Sequence, residues 1–329
     1  KRMAIYCLRD LALNDSAIDS ADIRRCTNGE LEEWFVCSRS KARFVRAALR
    51  MSRGCDRIVC GHVAQLPIAW LAARLNPGLR YYLVAHGIEV WRSFNAIERL
   101  ALRGAARIFC VSNYTRHELL RNCPLPEERT VVLHNALDPA FEIEAGQPLD
   151  RCPRVFLVVT RLTWADRYKG VQHMMEAMPA IRASVPGAHL RIVGRGDDLP
   201  RLRALRSKLD LVGAIDFVGF IDDRCLAEEM RSCRLFALPS RKEGFGLVFL
   251  EAMAHGRPCL GARAGGIPEV ITDDTGVLAE YGDVTGIAAA AVAGLRREWQ
   301  EEAILNRARR FSYSQFRTGL ASVFGAPMS

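Results

Sequence analysis

Short apolar segments alternate with helix-length amphipathic segments, and this alternation runs through the chain twice. It constrains the fold more than any other feature, because it is typical of parallel sheets covered by helices on both faces. At 329 residues the chain is long enough for two such domains. We therefore predict an α/β protein with two Rossmann-like, doubly wound parallel-sheet domains that face a cleft.

The predicted elements follow from the spacing of apolar residues. The strands are Trp34–Cys37, Arg57–Cys60, Arg80–Ala85, Arg107–Val111 and Thr130–Leu133, then Val155–Thr160, His189–Val193, Ile215–Val218, Leu235–Leu238 and Pro258–Gly261. The helices lie near 41–53, 67–75, 93–104 and 114–122, then near 170–184, 198–209, 223–232, 247–255 and 284–294, with two more within 297–324.

A segment without periodicity separates the two halves. Residues 139–153 contain three prolines and one glycine, which predicts an interdomain linker. We place an N-terminal domain at 1–140 and a C-terminal domain at 141–310. A final helix within 311–329 is predicted to return to the first domain. Its apolar face would be Phe316, Leu320, Val323 and Phe324.

Composition excludes several classes of protein. No apolar run approaches the roughly 20 residues of a membrane-spanning helix. The 11 cysteines include no Cys-x-x-Cys pair, so we expect free thiols in a reducing compartment, and the cytoplasm is the expected location. No Asp-x-Asp motif has a suitable position, so we expect no metal and no other cofactor.

The positive charge is concentrated in the first half. Residues 1–140 carry 21 Lys and Arg against 14 Asp and Glu, whereas the remainder carries 25 against 23. The stretch Arg39–Arg57 interleaves seven of these cations with apolar residues. It is either a solvated helix packed on the sheet or a docking face for an anionic membrane. We expect no nucleic acid partner.

The most specific motif follows the predicted strand at Leu235–Leu238. The sequence Glu243-Gly-Phe-Gly-Leu-Val-Phe-Leu-Glu251 places a glycine turn before a helix and two carboxylates on either side of its start. The free backbone N–H groups and the positive dipole end of a helix N-terminus suit a diphosphate. Two carboxylates at this spacing are weak evidence alone, since solvated helix faces often carry them.

Two further constellations also follow predicted strands. Arg161 comes after the strand at Val155–Thr160, and Lys169-Gly170 follows a loop that also contains Arg167. His86 comes after the strand at Arg80–Ala85. Ligands of open α/β sheets bind at the carboxyl ends of strands, so these side chains are candidates for one site.

Together these motifs resemble retaining glycosyltransferases of family 4, which have the GT-B fold. The Glu-x7-Glu segment, the Lys-Gly pair and the His-Gly-x-Glu-Val segment at His86 carry the resemblance. Weaker matches to the family pattern, in the same alignment, occur at Val111-Ser112, His134-Asn135, Val193-Gly194 and Gly265-Gly266. The similarity covers roughly residues 80–285.

The resemblance implies a role for each candidate residue. Arg161 and Lys169 would clamp the donor diphosphate, Glu243 would bind donor-sugar hydroxyls, and Glu251 would bind the ribose. His86 would face the reacting centre. The catalytic candidates are thus His86, Arg161, Lys169 and Glu243, and the donor-binding candidates are Gly194, Gly219, Gly244, Phe245, Gly246, Leu247, Val248 and Glu251.

The sequence departs from the family pattern in two places. The loop at Thr163–Tyr168 is longer than usual, so Arg167 could replace Lys169. Family members also begin with a strand and a glycine-rich loop, whereas Lys1–Leu13 has a helix-like pattern. We expect the natural protein to include that strand and loop, because a sheet without its first strand would expose neighbouring edges.

The predicted function is transfer of a sugar from a nucleoside diphosphate sugar to a hydroxyl of a glycan or lipid-linked acceptor, with retention of configuration. Such an enzyme would serve cell-surface polysaccharide or glycolipid synthesis.

Other classes of enzyme have less support. No Gly-x-Gly-x-x-Gly motif follows a strand, as a nicotinamide dehydrogenase would require, and the P-loop motif of P-loop enzymes is missing. A phosphorylase also lacks support, because no lysine of this sequence lies in a context typical of pyridoxal phosphate binding. A catalytically inactive binding or scaffold subunit stays open as the alternative.

Overall fold

The computed structural model describes residues 3–7, 31–36, 40–139, 141, 143–145, 148–149 and 152–324. The chain divides into two compact units. The first consists of Lys1–Ala85, Ser93–Phe109 and Cys123–Thr130, and the second of His86–Arg92, Cys110–Asn122 and Val131–Ser329. The second unit therefore contains two short segments from the first half of the sequence.

The described residues of the first half of the chain form two sheets. Strands β1 (Met3–Cys7) and β2 (Leu31–Val36) pair in parallel. A separate four-stranded sheet has the order β3-β4-β5-β6, and its first two strands are parallel. These strands are β3 (Arg57–Cys60), β4 (Arg80–Ala85), β5 (Arg107–Cys110) and β6 (Thr130–Val132).

Within the described residues, four α-helices accompany these strands: α1 (Lys41–Met51), α2 (Leu66–Leu75), α3 (Ala96–Gly104) and α4 (Asn113–Asn122). Local sequence fixes where two of them begin. The Ser40 side chain accepts a hydrogen bond from the backbone of Arg43 at the start of α1. Asn95 and Glu98 form a reciprocal capping box at the start of α3, which satisfies two backbone donors that would otherwise lack partners.

The second half of the chain forms a six-stranded, fully parallel sheet with the order β12-β11-β10-β7-β8-β9. The strands are β7 (Val155–Val159), β8 (His189–Val193), β9 (Ile215–Gly219), β10 (Leu235–Leu238), β11 (Cys259–Ala262) and β12 (Gly276–Ala279). All four residues of β10 and of β11 are buried, as expected for central strands covered on both faces.

In the described part of this half there are eight α-helices: α5 (Val171–Ser184), α6 (Leu199–Lys208), α7 (Asp223–Ser232), α8 (Leu247–Ala254), α9 (Ile267–Val270), α10 (Val284–Arg296), α11 (Glu301–Arg309) and α12 (Tyr313–Phe324). Each helix from α5 to α8 connects two strands of the sheet. The main hydrophobic core lies between this sheet and its helices.

The described elements match the predicted alternation closely, with three differences. Residues Met3–Cys7 form a strand, so the helix expected over Lys1–Leu13 is wrong there. The spacing of apolar residues did not predict β12 or the single-turn helix α9. Gly276 opens β12 and Pro268 lies within α9, and both residue types are typical of turns rather than of a periodic element.

Helix α12 lies at the predicted position of the final helix. A Cβ atom added at Gly319 would lie 3.3 Å from the Cδ1 atom of Leu133, and both residues belong to the second unit. The return of this helix to the first domain stays a prediction.

Two expectations from composition concern thiols and membrane spans. The eight cysteines whose side chains the structure describes are free, and six of them are buried. In the part of the chain that the structure describes, each helix falls short of the length and apolar character needed to cross a lipid bilayer.

Candidate functional site

The strand order of the six-stranded sheet locates its ligand crevice. From β7 the chain proceeds outward through β8 and β9, then returns to place β10 on the other side of β7. The reversal opens a crevice at the carboxyl ends of β7 and β10, where ligands of open α/β sheets bind. Arg161 follows β7 and Glu243 follows β10, so both lie in segments that border this crevice.

Lys169 and Glu243 meet in an ion pair, although 74 residues separate them in the chain. The Lys169 Nζ atom lies 2.6 Å from Glu243 Oε1, and the two side chains are only 18% and 12% exposed. A local constraint brings Lys169 there. Gly170 has φ +77°, and a Cβ at this position would overlap the carbonyl oxygen of Pro239. Only glycine allows the turn to approach the segment after β10 so closely.

Arg161 is held by a second carboxylate. Its Nε atom lies 3.2 Å from Asp166 Oδ2, and its Nη2 atom lies 3.2 Å from Oδ1. The Asp166 side chain is 8% exposed and also accepts hydrogen bonds from the hydroxyls of Thr163 and Tyr168, at 2.7 and 3.0 Å. Burial, followed by the hydrogen bond to Asp166, raises the pKa of Tyr168 to about 12. Asp166 thus fixes an arginine whose own side chain is 75% exposed.

The longer loop between Arg161 and Lys169 is a 3-10 helix at Trp164–Lys169. Within it Arg167 points to different partners from Lys169. Its Cζ atom lies 4.5 Å from the ring centre of Trp164, and its Nη2 atom donates to Gln172 Oε1 at 3.3 Å. Lys169, rather than Arg167, therefore contacts the carboxylate of the Glu-x7-Glu motif.

Helix α8 starts at the crevice without a side-chain cap. Its N-cap residue Gly246 is in the left-handed region, at φ +98°, and no side chain accepts from the first N–H groups. The N–H groups of Leu247 and Val248 in the first turn are thus free to bind an anion. The Phe245 side chain is only 2% exposed and stacks on His134 with ring centres 5.2 Å apart. Phe245 could therefore reach a donor through its backbone rather than its ring.

The His86 segment packs directly on the same motif. A Cβ at Gly244 would overlap the carbonyl oxygen of His86, and one at Gly87 would lie 2.8 Å from the Gly244 Cα atom. The backbone N–H groups of His86 and Gly87 donate to Glu89 Oε1, at 2.5 and 3.2 Å. Glu89 thus orders the turn, while the His86 imidazole stays exposed.

The remaining donor-binding candidates lie at or near strand ends. Gly219 is the last residue of β9, and Gly194 follows β8 and donates its N–H to the Gly219 carbonyl at 2.8 Å. Glu251 lies one turn into α8 and is partly buried. Burial, followed by the negative charge of Asp223, raises the pKa of the Glu251 carboxyl.

Sequence reasoning missed one pairing beside the site. Glu269, which follows the Gly265-Gly266 turn, accepts hydrogen bonds from the backbone N–H groups of Asn113 and Tyr114 and from the Asn113 side chain, all at 2.8 Å. It therefore caps the N-terminus of α4. Both segments matched the family motif, but nothing local to either one indicated that they meet.

The structure brings Lys169, Glu243, the start of α8 and the His86 turn together, and it holds Arg161 on Asp166. Among the described residues, no group of three or more His, Cys, Asp or Glu side chains is arranged to hold a metal ion. Two cations and a free helix N-terminus next to a carboxylate can bind a diphosphate and a neighbouring hydroxyl group.

Comparisons with protein families agree with this arrangement. The model described as "Glycosyl transferases group 1" matches residues 153–297, and the model described as "Glycosyltransferase Family 4" matches residues 29–141. Together the two matches cover both halves of the chain.

Characterised relatives extend the similarity. An N-acetyl-alpha-D-glucosaminyl L-malate synthase of Bacillus anthracis is 42% identical over 153 residues, which are 46% of this chain and 39% of that protein. A GDP-mannose-dependent alpha-(1-6)-phosphatidylinositol monomannoside mannosyltransferase of Mycobacterium tuberculosis is 31% identical over 271 residues, 72% of this chain and 69% of the relative. The chain thus spans well under two thirds of the first relative and slightly more than two thirds of the second.

A solved structure shares the fold. Alr3699/HepE of Anabaena, in complex with UDP and glucose, superposes with a TM-score of 0.78 at 19% identity, covering 98% of this chain and 91% of that one. The chain contains two α/β regions with parallel strands, and the solved structure superposes on both. These two observations together confirm the predicted GT-B fold.

Proposed function

Because this chain belongs to glycosyltransferase family 4, we propose that it transfers a sugar from a nucleoside diphosphate sugar to a hydroxyl group of a glycan or lipid-linked acceptor. The Lys169–Glu243 ion pair beside the uncapped start of α8 is the observation that carries this proposal. It supports a site that binds a diphosphate and a sugar hydroxyl side by side.

The chemistry follows from the charges that the site presents. When the bond from the sugar to the donor oxygen breaks, negative charge develops on the departing diphosphate. Arg161, Lys169 and the N–H groups of Leu247 and Val248 would stabilise that charge, because fixed donors cost no reorganisation during the reaction. Glu243 would bind a donor-sugar hydroxyl and position the sugar.

We propose retention of configuration, as in the family that the sequence resembles. The acceptor hydroxyl would attack the face from which the diphosphate leaves, and the diphosphate would take up its proton. In this scheme His86, whose imidazole is exposed at the turn packed on Gly244, contacts the sugar and not the diphosphate.

A panel of UDP-, GDP- and ADP-sugars tests the proposal by thermal shift, followed by transfer and donor-hydrolysis assays with the donor that binds. The Anabaena structure contains UDP, and the Mycobacterium tuberculosis relative is named as GDP-mannose-dependent. UDP-sugars and GDP-sugars are therefore the first donors to try. We expect one donor to raise the melting temperature of the wild type and to lose this effect in Glu243→Ala. The absence of binding and hydrolysis with every donor would instead favour the inactive binding or scaffold subunit.

Peripheral membrane binding is a second proposal, and the structure changes which residues would carry it. The arginines at 43, 46, 50, 53 and 57 are exposed, whereas Arg39 lies outside the described residues. The apolar residues between them are not available for insertion, since Phe44 is 7% exposed and Val45 and Leu49 are partly buried. The first unit does expose large aliphatic side chains on α2 and α3, namely Leu71, Leu75, Ile97 and Leu100.

Co-sedimentation with vesicles tests this second proposal. Each arginine near an anionic surface contributes about 1 kcal/mol, so the triple variant Arg43→Glu, Arg46→Glu, Arg50→Glu should release the protein from anionic vesicles. Leu71→Ser with Leu75→Ser should weaken binding with less dependence on salt. Equal binding to neutral and anionic vesicles, or none to either, would show that α1 is an ordinary solvated helix.

A further inference from the structure

A basic cavity lies beside the Lys169–Glu243 pair, on the second unit. Its volume is ≈ 320 Å³, at the lower end of the range for small-molecule sites. It is lined by Arg167, Tyr168, Gln172, His173, Arg241 and Tyr281. Apart from Arg167, which the sequence offered as an alternative to Lys169, no candidate catalytic or donor-binding residue is in this lining. We call it the Arg167–Arg241 cavity.

Three parts of the sequence build the cavity. One side is a continuous stretch that consists of the 3-10 helix Trp164–Lys169 and the first turn of α5. The other side consists of the segment after β10 and of Tyr281, which lies just before α10. The backbone N–H of Arg241 donates to the Tyr168 carbonyl at 2.8 Å, so the two sides are joined at one point. The cavity is therefore part of the folded unit and not a gap between mobile side chains.

Its two arginines lack the carboxylate partners that arginines elsewhere in this unit have. Arg161 pairs with Asp166, Arg201 with Asp198, and Arg257 with Glu301. Within the described ranges no ion pair involves either Arg167 or Arg241. Arg167 contacts the Trp164 ring and the Gln172 amide, and the Arg241 Cζ atom lies 5.3 Å from the ring centre of Tyr281. Two uncompensated positive charges thus line one cavity.

The aromatic rings of His173 and Tyr281 form another part of the lining. The rings of His173 and Tyr281 meet edge to face, with centres 4.9 Å apart. The Nδ1 atom of His173 is buried and has no hydrogen-bond partner in the described part of the chain. Because this atom is closed to solvent, a ligand in the cavity meets the two aromatic rings rather than this nitrogen.

We propose that the Arg167–Arg241 cavity binds the phosphate group of a small phosphate monoester, separately from the donor site. Guanidinium groups present planar pairs of donors that match phosphate oxygens, and a dianion can use two of them at once. An anion held by both arginines ties the 3-10 helix that ends in Lys169 to the segment that contains Glu243. Occupancy therefore lowers the KM for the donor sugar, if the proposed transfer is correct, whereas binding itself does not depend on that activity.

Calorimetric titration with inorganic phosphate and with a hexose phosphate, at constant ionic strength, tests the proposal. Loss of two charged donors weakens binding by roughly tenfold or more, so Arg167→Gln with Arg241→Gln should show that loss. Arg154→Gln, at an exposed arginine before β7, should bind phosphate as the wild type does. Arg161→Gln should lose only the phosphate that binds in the donor site and keep the phosphate bound in the cavity. Circular dichroism and melting without ligand check that each variant is folded.

Three results would overturn the proposal: no binding by the wild type, binding unchanged in the double variant, or binding lost in Arg161→Gln instead. The phosphate could come from a soluble metabolite or from a lipid headgroup, and a separate arm distinguishes them. Tighter binding of hexose phosphate than of inorganic phosphate identifies a metabolite. Co-sedimentation with phosphatidic acid vesicles that requires Arg167 and Arg241 identifies a headgroup.

Discussion

At the scale of single residues, Lys169 and Arg167 lie two positions apart yet have different partners. Lys169 is 18% exposed and paired with Glu243, whereas Arg167 stacks on Trp164. Removing a fixed charge that stabilises a transition state typically costs about 100-fold to 1,000-fold in kcat. We therefore expect Lys169→Ala to lose activity on this scale and Arg167→Ala to lose much less.

Initial rates of sugar transfer at saturating donor measure this difference. Arg167→Ala should melt close to the wild type, because the Arg167 side chain is exposed. Lys169→Ala leaves the largely buried Glu243 carboxylate without its partner and should melt lower, so circular dichroism at the assay temperature checks that it is folded. Wild-type turnover in Lys169→Ala, with loss of activity in Arg167→Ala, would assign the diphosphate to Arg167 instead.

His255 makes stability depend on pH. It is 2% exposed, and burial, followed by the charges of Arg231 and Arg257, lowers the pKa of its imidazole to about 4. The unfolded chain binds this proton near pH 6.5, so the contribution of neutral His255 is complete above pH 6.5 and is lost as the pH falls towards 4. The loss amounts to about 2–3 kcal/mol over this window.

Urea unfolding between pH 7 and 5 measures this contribution. His255→Gln should have a flatter dependence on pH than the wild type, even if it is less stable at pH 7. His117→Gln, which removes an imidazole whose side chain is 74% exposed, serves as the matched control. Parallel pH profiles for the wild type and His255→Gln would contradict the assignment.

At the scale of elements, the start of α4 depends on a residue that is distant in sequence. Glu269 caps this helix with three hydrogen bonds, and the same charge also favours the positive end of the helix dipole. We expect Glu269→Ala to destabilise the protein by about 1–2 kcal/mol, with a lower melting temperature. Glu302→Ala, at an exposed position in α11, should change it little, and equal melting temperatures for both variants would count against the cap.

Two glycines allow the segments that form the site to approach each other closely. Gly244 contacts the His86 carbonyl, and Gly170 contacts the Pro239 carbonyl. A side chain at either position would separate two segments that the site needs together. The sequence contained these glycines within recognisable motifs, but it did not reveal which segment each one packs against.

At the scale of the whole molecule, the proposed mechanism needs no metal. The arginine, the lysine and the start of α8 supply the positive charge that a divalent ion would otherwise bring to a diphosphate. We expect transfer activity to survive dialysis against EDTA. Loss of activity that Mg²⁺ or Mn²⁺ restores would show that a metal bridges the diphosphate.

The sequence by itself determined the order of nearly all described strands and helices. Apolar periodicity is a local property, and it sufficed to predict β8 at His189–Val193 and α7 at Asp223–Ser232 with correct bounds. It failed for Met3–Cys7, because five residues can satisfy either a helix or a strand pattern until a partner such as Leu31–Val36 pairs with them.

The tertiary structure alone decided which distant groups meet. It selected Lys169 over Arg167 as the partner of Glu243, joined Glu269 to the start of α4, and assigned His86–Arg92 and Cys110–Asn122 to the second compact unit. The physical reason is that each of these outcomes depends on contacts between segments far apart in the chain. Local patterns record the propensity of a segment, whereas its partners are chosen by the packing of the whole unit.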